Sequence, residues 1–185
     1  PSTTSLVLPL ATYSVNQSAQ GGKIAYILKP GDPGYSNVIQ KGLVLTSTDV
    51  TSSAEWGCYG SDISGANGTA IGTGNQNTID IMAGCATAGI AARLCGDLVQ
   101  GGYSDWYLPS TGEWAAIYTN NALLTGTFQA FYYTSTEYDR FNAYYYYWVS
   151  GAANFFYKNN TLAVRAVRSF DNSQISLTVN TGLAF

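Results

Sequence analysis

Residues 131–157 read FYYTSTEYDRFNAYYYYWVSGAANFFY. Eight Tyr, four Phe and one Trp lie in these 27 residues, half of the aromatic side chains in the chain. Aromatic residues suit a pleated, half-covered surface, which predicts strands over Phe131–Ser135, Tyr144–Val149 and Asn154–Tyr157. In a strand, Tyr144-Tyr145-Tyr146-Tyr147-Trp148 sends side chains alternately to both faces. A single core covers only one of those faces, so the other must look outward or into a neighbouring layer. Phe155-Phe156-Tyr157 presents the same problem. Tyr offers a large contact area with few rotors and an adaptable hydroxyl. Four or five such rings, each covering about 150–250 Å², would fill one side of a standard protein interface of about 800 Å². An exposed binding surface is therefore preferred to a tract wholly in the core, and to a sugar-stacking site.

Outward from the tract, Lys23–Leu28 and Gly42–Thr46 read as short strands, the first stopped by Pro30 and a Gly31-Asp32-Pro33-Gly34 turn. Glu55–Asn77 reads as a long loop. Thr78–Val99 is a helix candidate with Ile79, Met82, Ala86, Ile90, Leu94 and Leu98 at helical spacing, open to a break at Gly84 and Gly89. Ser110-Thr111-Gly112-Glu113 has the form of a capping box, which predicts a second helix running to about Asn121 with Trp114, Ile117 and Tyr118 on one side. Leu162–Phe170 reads as a further strand. Helices between strands at both ends make an α+β domain.

The 185 residues are 46 % apolar and only 10 % charged, with a net charge of −3 and no His. A phosphate-neutralising nucleic-acid binder is not expected from that balance, and the absence of His excludes His-based triads and His-ligated zinc. No apolar run reaches the 18 or so residues of a membrane-spanning helix. Pro1–Gln20 reads as a linker or edge segment without the marks of a secretory signal. Of three cysteines, Cys85 and Cys95 sit ten residues apart, about 15 Å along one helix and too far for a disulfide. Cys58 in its loop can reach either; Cys58–Cys85 is the pairing favoured, with Cys95 a buried small hydrophobe. Arg165 and Arg168 fall on opposite faces of a regular strand and read as edge charges.

Tyr132-Tyr133-Thr134-Ser135-Thr136-Glu137-Tyr138, Asp105-Trp106-Tyr107-Leu108-Pro109-Ser110-x-x-Glu113 and Ala163-Val164-Arg165-Ala166-Val167-Arg168-Ser169-Phe170 resemble, in order, blocks of a bacterial and phage surface family (Lcl-type domains) with a C-type-lectin-like fold. Gly21-Gly22-Lys23-Ile24, Pro30–Tyr35, Trp56-Gly57-Cys58 and Thr69–Gly74 also fit, so the resemblance covers about 21–170, followed by a C-terminal extension over 171–185. Tyr107, Tyr133 and Tyr144 depart from the family's usual Arg and Trp. Ile175–Val179 in the extension reads as one more strand, an oligomer or anchoring contact. The resemblance implies two helices packed on a mixed or antiparallel sheet, with N- and C-terminal strands paired as Lys23–Leu28 against Ala163–Phe170.

The chain also resembles the variable proteins of diversity-generating retroelements, in which adenines of Asn codons are randomised. Asp139, Arg140, Phe141, Asn142, Tyr145, Tyr147, Val149, Ser150, Ala152, Asn154, Phe155, Phe156, Tyr157, Asn159, Asn160, Leu162 and Ala163 are residue types reachable in that way, within a variable region of about 137–163, and the first fifteen form the candidate ligand face. Interleaved Glu137, Trp148 and Lys158 are not reachable and read as scaffold. The expectation is a non-enzymatic, receptor-recognition protein on a virion or cell surface that takes a protein or glycan on a host or neighbouring cell. No nucleic acid, metal, cofactor or catalytic residue is expected; an oligomer is open. The alternatives are an undiversified carbohydrate- or matrix-binding adhesin of the same fold and, much less favoured, a formylglycine-generating-type oxidase.

Overall fold

The computed structural model describes residues 10–173 and the backbone of two outlying strands at 3–6 and 177–180. In chain order the strands are β1 (Thr3–Leu6), β2 (Ser18–Ala19), β3 (Gly22–Ile27), β4 (Lys41–Leu45), β5 (Thr51–Glu55), β6 (Phe131–Glu137), β7 (Asn142–Tyr147), β8 (Ala152–Tyr157), β9 (Thr161–Val164), β10 (Val167–Asp171) and β11 (Leu177–Asn180). The helices among the described residues are α1 (Gly74–Gly84), α2 (Ala91–Gly96) and α3 (Thr111–Tyr118). The class is mixed α+β. A four-stranded antiparallel sheet has the order β10-β4-β3-β2, and a five-stranded sheet the order β5-β9-β6-β7-β8. β1 and β11 form an antiparallel ribbon of their own.

The expected pairing of Lys23–Leu28 with Ala163–Phe170 does not occur, because β4 lies between them. The physical reason is in β4 itself. Gly42-Leu43-Val44-Leu45 is buried without interruption, and a strand covered on both faces belongs in the middle of a sheet. The strand expected over Leu162–Phe170 is two strands in two different sheets. They part at Arg165-Ala166, where the Arg165 guanidinium turns in to Asp49 Oδ1 at 2.7 Å and the Thr127 carbonyl at 2.9 Å. The Ala166 carbonyl there accepts the Thr46 amide at 3.0 Å. That crossing carries the chain from one sheet to the other and packs both on a shared core. Thr51–Glu55, too polar to be read as a strand, pairs with β9 at the far edge of the five-stranded sheet. Of the strand predicted over Ile175–Val179, residues 175 and 176 lie outside the described residues; 177–180 pair with β1.

The long helix candidate is two helices, α1 and α2, and its predicted apolar face is corrected. Ile79 is 50 % exposed, whereas Ile81 is fully buried. The face that α1 buries consists of Gly74, Asn77, Thr78 and Ile81. Asn77 Nδ2 donates to the Gly68 carbonyl and to Ser135 Oγ, and Thr78 Oγ1 accepts the Leu108 amide. Apolar periodicity misses a helix whose inner face holds loops by hydrogen bonds.

The capping box opens α3. Ser110 Oγ accepts the Glu113 amide at 3.2 Å, and Glu113 Oε2 accepts the Ser110 amide at 2.8 Å. The carboxylate does more than cap: its Oε1 accepts the Gly72 amide and the Tyr107 hydroxyl, each at 3.0 Å. Burial raises the pKa of Glu113, and these donors oppose the rise. A Cβ at Gly74 would lie 2.2 Å from Glu113 Oε2, so the start of α1 and the start of α3 meet over this one side chain.

Arg165 and Arg168, read as edge charges, are both buried and paired. Arg168 grips Asp105 with two bonds of 2.6 and 2.9 Å, and its guanidinium lies 3.7 Å from the centre of the Tyr103 ring. Two of the sequence blocks that carried the resemblance are thus fastened to each other by a charge-assisted fork.

Candidate functional site

β6, β7 and β8 form an antiparallel meander at one edge of the five-stranded sheet. Of the four tyrosines of β7, Tyr146 is buried and Tyr144, Tyr145 and Tyr147 are half-buried. Tyr146 is buried against Trp114 of α3, 6.1 Å between ring centres, where Tyr132 of β6 also stacks at 4.8 Å. Tyr133 is fully buried on the opposite face, and its hydroxyl has two carbonyl acceptors for its one proton, those of Tyr157 and Asn160 at 2.8 and 2.9 Å. Tyr132 donates its hydroxyl to Asp49 Oδ1 at 2.8 Å. Burial pushes the Tyr146 hydroxyl up to about 12.

The phenylalanines behave in the opposite way. All four in the tract, Phe131, Phe141, Phe155 and Phe156, are exposed, as are Tyr138 and Tyr157. The outer patch mixes both ring types, since Tyr138, Tyr144, Tyr145, Tyr147 and Tyr157 also reach water. The buried rings of the tract are Tyr132, Tyr133 and Tyr146, and the exposed ones are mostly Phe. Each of the three buried Tyr hydroxyls reaches a backbone carbonyl or a carboxylate, so its burial leaves no unpaired polar group. β8 is exposed at each of its six residues.

None of the fifteen predicted ligand-face residues is buried, but they do not make one flat patch. Phe141, Asn142, Tyr157, Asn159 and Asn160 gather at the end of the meander where β6 turns into β7 and β8 leaves. Val149, Ser150 and Ala152 lie at the other end, about 20 Å away along a six-residue strand. That second turn requires Gly151, whose φ is +73° and where a Cβ would meet the Tyr118 ring at 2.1 Å. Between the ends, the register puts Tyr145, Tyr147, Asn154 and Phe156 on one face and Phe155 on the other.

The candidate ligand face left out five contributors. Tyr138 stacks on Phe155 at 4.3 Å and meets Tyr144 edge-on at 5.3 Å. Phe131 stacks on Tyr147 at 4.8 Å. Leu162 of β9 joins Phe131, Tyr145 and Phe156 around an apolar groove of about 250 Å³. Tyr59, on the loop after Cys58, packs on Phe141 at 5.3 Å and Tyr157 at 6.0 Å. Phe131, Tyr138 and Tyr144 stood in the quoted tract, and strand parity would have found them. Tyr59 comes from 80 residues upstream and carries no local signal.

Asp139 and Arg140, expected to meet ligand, differ in what they do. Asp139 Oδ1 accepts the amides of Phe141 and Asn142, each at 2.7 Å, and both its oxygens take the Asn142 side-chain amide at 3.0 Å. Desolvation raises the pKa of Asp139, but those hydrogen bonds outweigh it and the net shift is downward. Asp139 thus shapes the turn. Arg140 is exposed, its guanidinium 5.1 Å from the centre of the Phe141 ring.

A buried ion pair holds the site on the domain. Lys158 Nζ, fully buried, pairs with Glu137 Oε1, donates to the Ser61 carbonyl at 2.8 Å and lies 4.6 Å from the centre of the Trp56 ring. Glu137 also accepts the Ile63 amide through both oxygens. The Trp56 and Gly57 amides donate to the Lys158 carbonyl, and the Gly60 amide to the Arg140 carbonyl. Segment 56–63 is thereby strapped across the meander. Its anchor is the Cys58–Cys85 disulfide, with a Cα–Cα distance of 5.8 Å; Cys95 is free and buried. Trp148, the third residue read as scaffold, stacks on Phe128 at 4.2 Å.

Reducing that disulfide opens a loop with a sequence separation of 27 residues, which should cost about 3–4 kcal/mol in the loop-entropy account. The expected result is a lower thermal midpoint in dithiothreitol and a matching loss in a Cys58→Ser, Cys85→Ser variant. An unchanged midpoint in both would mean that hydrogen bonds alone hold the strap.

No group of three or more Cys, Asp and Glu side chains among the described residues is arranged to hold a metal ion. No helix among them is long and apolar enough to cross a membrane. No protein-family model matches the chain, and no curated protein matches it.

Proposed function

We propose that this protein is a ligand-binding protein with a C-type-lectin-like fold that works by recognition and not by catalysis. Its aromatic meander is the recognition surface, displayed on a virion or cell, and is diversified by a retroelement. The observation that carries this reading is the segregation of exposure. The fifteen ligand-face positions are all in contact with water, ten of them exposed; of the two other positions read as reachable by adenine randomisation, Leu162 is half-buried and Ala163 is buried. The interleaved Lys158 and Glu137 are locked in a buried ion pair, and Trp148 is stacked on Phe128. A surface built so can change side chains at its rim while its frame stays put, the arrangement that variable recognition needs. The partner is a protein or surface glycan on another cell.

Sequencing this locus in independent isolates tests the proposal. Substitutions are expected to concentrate at the fifteen positions, with Glu137, Trp148 and Lys158 unchanged, beside an Asn-rich copy of the segment and a reverse transcriptase gene. Substitutions spread evenly along the chain, with no such copy, would leave a fixed-ligand adhesin as the better account.

A further inference from the structure

Two features of the meander bear on the chemistry of the partner. The first is the groove of about 250 Å³ between Phe131 and Phe156, floored by Tyr145 and closed on one side by Leu162. No charged side chain lines it. A dry cavity of about 150 Å³ lined by apolar side chains already accepts a benzene ring, so this groove has room for one aromatic or branched aliphatic side chain. Phe131 and Phe156 stand 42 % and 41 % exposed at its rim, an unfavourable placement that a seated apolar group would relieve.

The second feature is that the carboxylates of the face, Asp139 and Glu137, and the side chains of Asn142 and Asn154 are already engaged, whereas Arg140, Ser150, Asn159 and Asn160 make no side-chain hydrogen bond among the described residues. The Asp139 carboxylate is taken by two backbone amides and the Asn142 side chain, and Asn142 Nδ2 is correspondingly taken by Asp139. Asn154 Oδ1 accepts the amide of Phe155 at 2.8 Å. Glu137 is bound to Lys158 and the Ile63 amide. A sugar presents a ring of hydroxyls that needs convergent carboxylates and amides, and each hydroxyl left unpaired against Phe costs about 1–3 kcal/mol. A protein presents apolar side chains that need none.

Tyr59, Phe131, Tyr138, Phe141, Phe155, Phe156 and Tyr157 are between 39 and 53 % exposed. They are divided between the groove face, which carries Phe131 and Phe156, the opposite face, where Tyr138 stacks on Phe155, and the end of the meander, where Tyr59 meets Phe141 and Tyr157. β8, AANFFY, carries neither charge nor proline, the devices that ordinarily keep a sheet edge from meeting another chain.

Resting on the recognition role proposed above, we infer that the partner is a protein, and that it seats an aromatic or branched aliphatic side chain in the groove between Phe131 and Phe156. The full chain is screened against random dodecapeptides displayed on phage and, in parallel, against an array of immobilised glycans. Enriched peptides are expected to share an aromatic, Leu or Ile anchor. Phe156→Asp and, separately, Phe131→Asp are expected to weaken their binding about thirtyfold, the size of a hot-spot loss, with the thermal midpoint of each variant unchanged. Glycans bound while peptides are not, peptides that bind both variants as well as the parent, or binding from neither library each overturn the inference. The isolate comparison distinguishes failure here from failure of the broader reading: substitutions confined to the fifteen positions keep the recognition role even if the partner is not a protein.

Discussion

Lys158→Ala is expected to destabilise the protein by about 3–5 kcal/mol, the cost of leaving one partner of a buried ion pair alone. The ammonium group is buried, and its loss strands the Glu137 carboxylate beneath the meander and the Ser61 carbonyl beside it. Urea denaturation of parent and variant gives the measurement, with the slope unchanged and the midpoint lower. The double variant Lys158→Met, Glu137→Leu should lose less than Lys158→Ala, because no charge is then left unpaired in the interior. Some loss remains, since the Ile63 amide gives up its acceptor. The same change reaches the site: without Lys158 the strap carrying Tyr59 loses its bond at Ser61, and the contact of Tyr59 with Phe141 and Tyr157 loosens. A Lys158→Ala variant as stable as the parent would show that the ion pair is not what holds the recognition surface to the domain.

Trp114→Ala should cost a similar amount, about 3–5 kcal/mol, by removing a large buried ring from a core that collapses only in part. Trp114 is fully buried, stacks on Tyr132 and Tyr146, and meets Trp148 edge-on at 5.8 Å. Its indole N–H also reaches toward the Tyr133 carbonyl at 3.4 Å. One side chain of α3 thus sets the inner face of β6 and β7, and through their register decides which rings of the tract face water. Trp114→Phe keeps part of the stack and should lose distinctly less. Equal losses for Ala and Phe would mean that the N–H bond, not the stacked rings, supplies the stabilisation.

Legibility differed from element to element for physical reasons. The capping box at Ser110–Glu113 was readable because both of its bonds join residues three apart in the chain. The exposure of the aromatic strands was readable because rings in a row cannot all face one core. The inner face of α1 was not readable: Asn77 and Thr78 are buried there to hold loops, and polar burial leaves no trace in apolar spacing. The pairing of Arg165 with Asp49 and Arg168 with Asp105 was not readable either, since each joins residues 116 and 63 positions apart. Within the site, the fifteen chosen positions all reach water, yet Phe131, Tyr138, Tyr144, Leu162 and Tyr59 were left out of the ligand face. The codon argument that selected the fifteen says which residues can vary, and contact with a neighbour's ring is a different property.

The amino-acid order alone determined that this chain mixes helices with strands, that it opens α3 with Ser110 and Glu113, and that residues 131–157 carry more aromatic surface than one core can cover. Each of these is settled by neighbours within a few residues, through backbone hydrogen bonding or the two-residue repeat of a strand. Tertiary structure alone decided that β4 separates β3 from β10, that Tyr132, Tyr133 and Tyr146 go inside the meander while its four Phe stay out, and that Tyr59 joins the surface. Those outcomes depend on which distant groups can satisfy a buried hydroxyl, amide or charge, and such partners exist only once the two sheets have met.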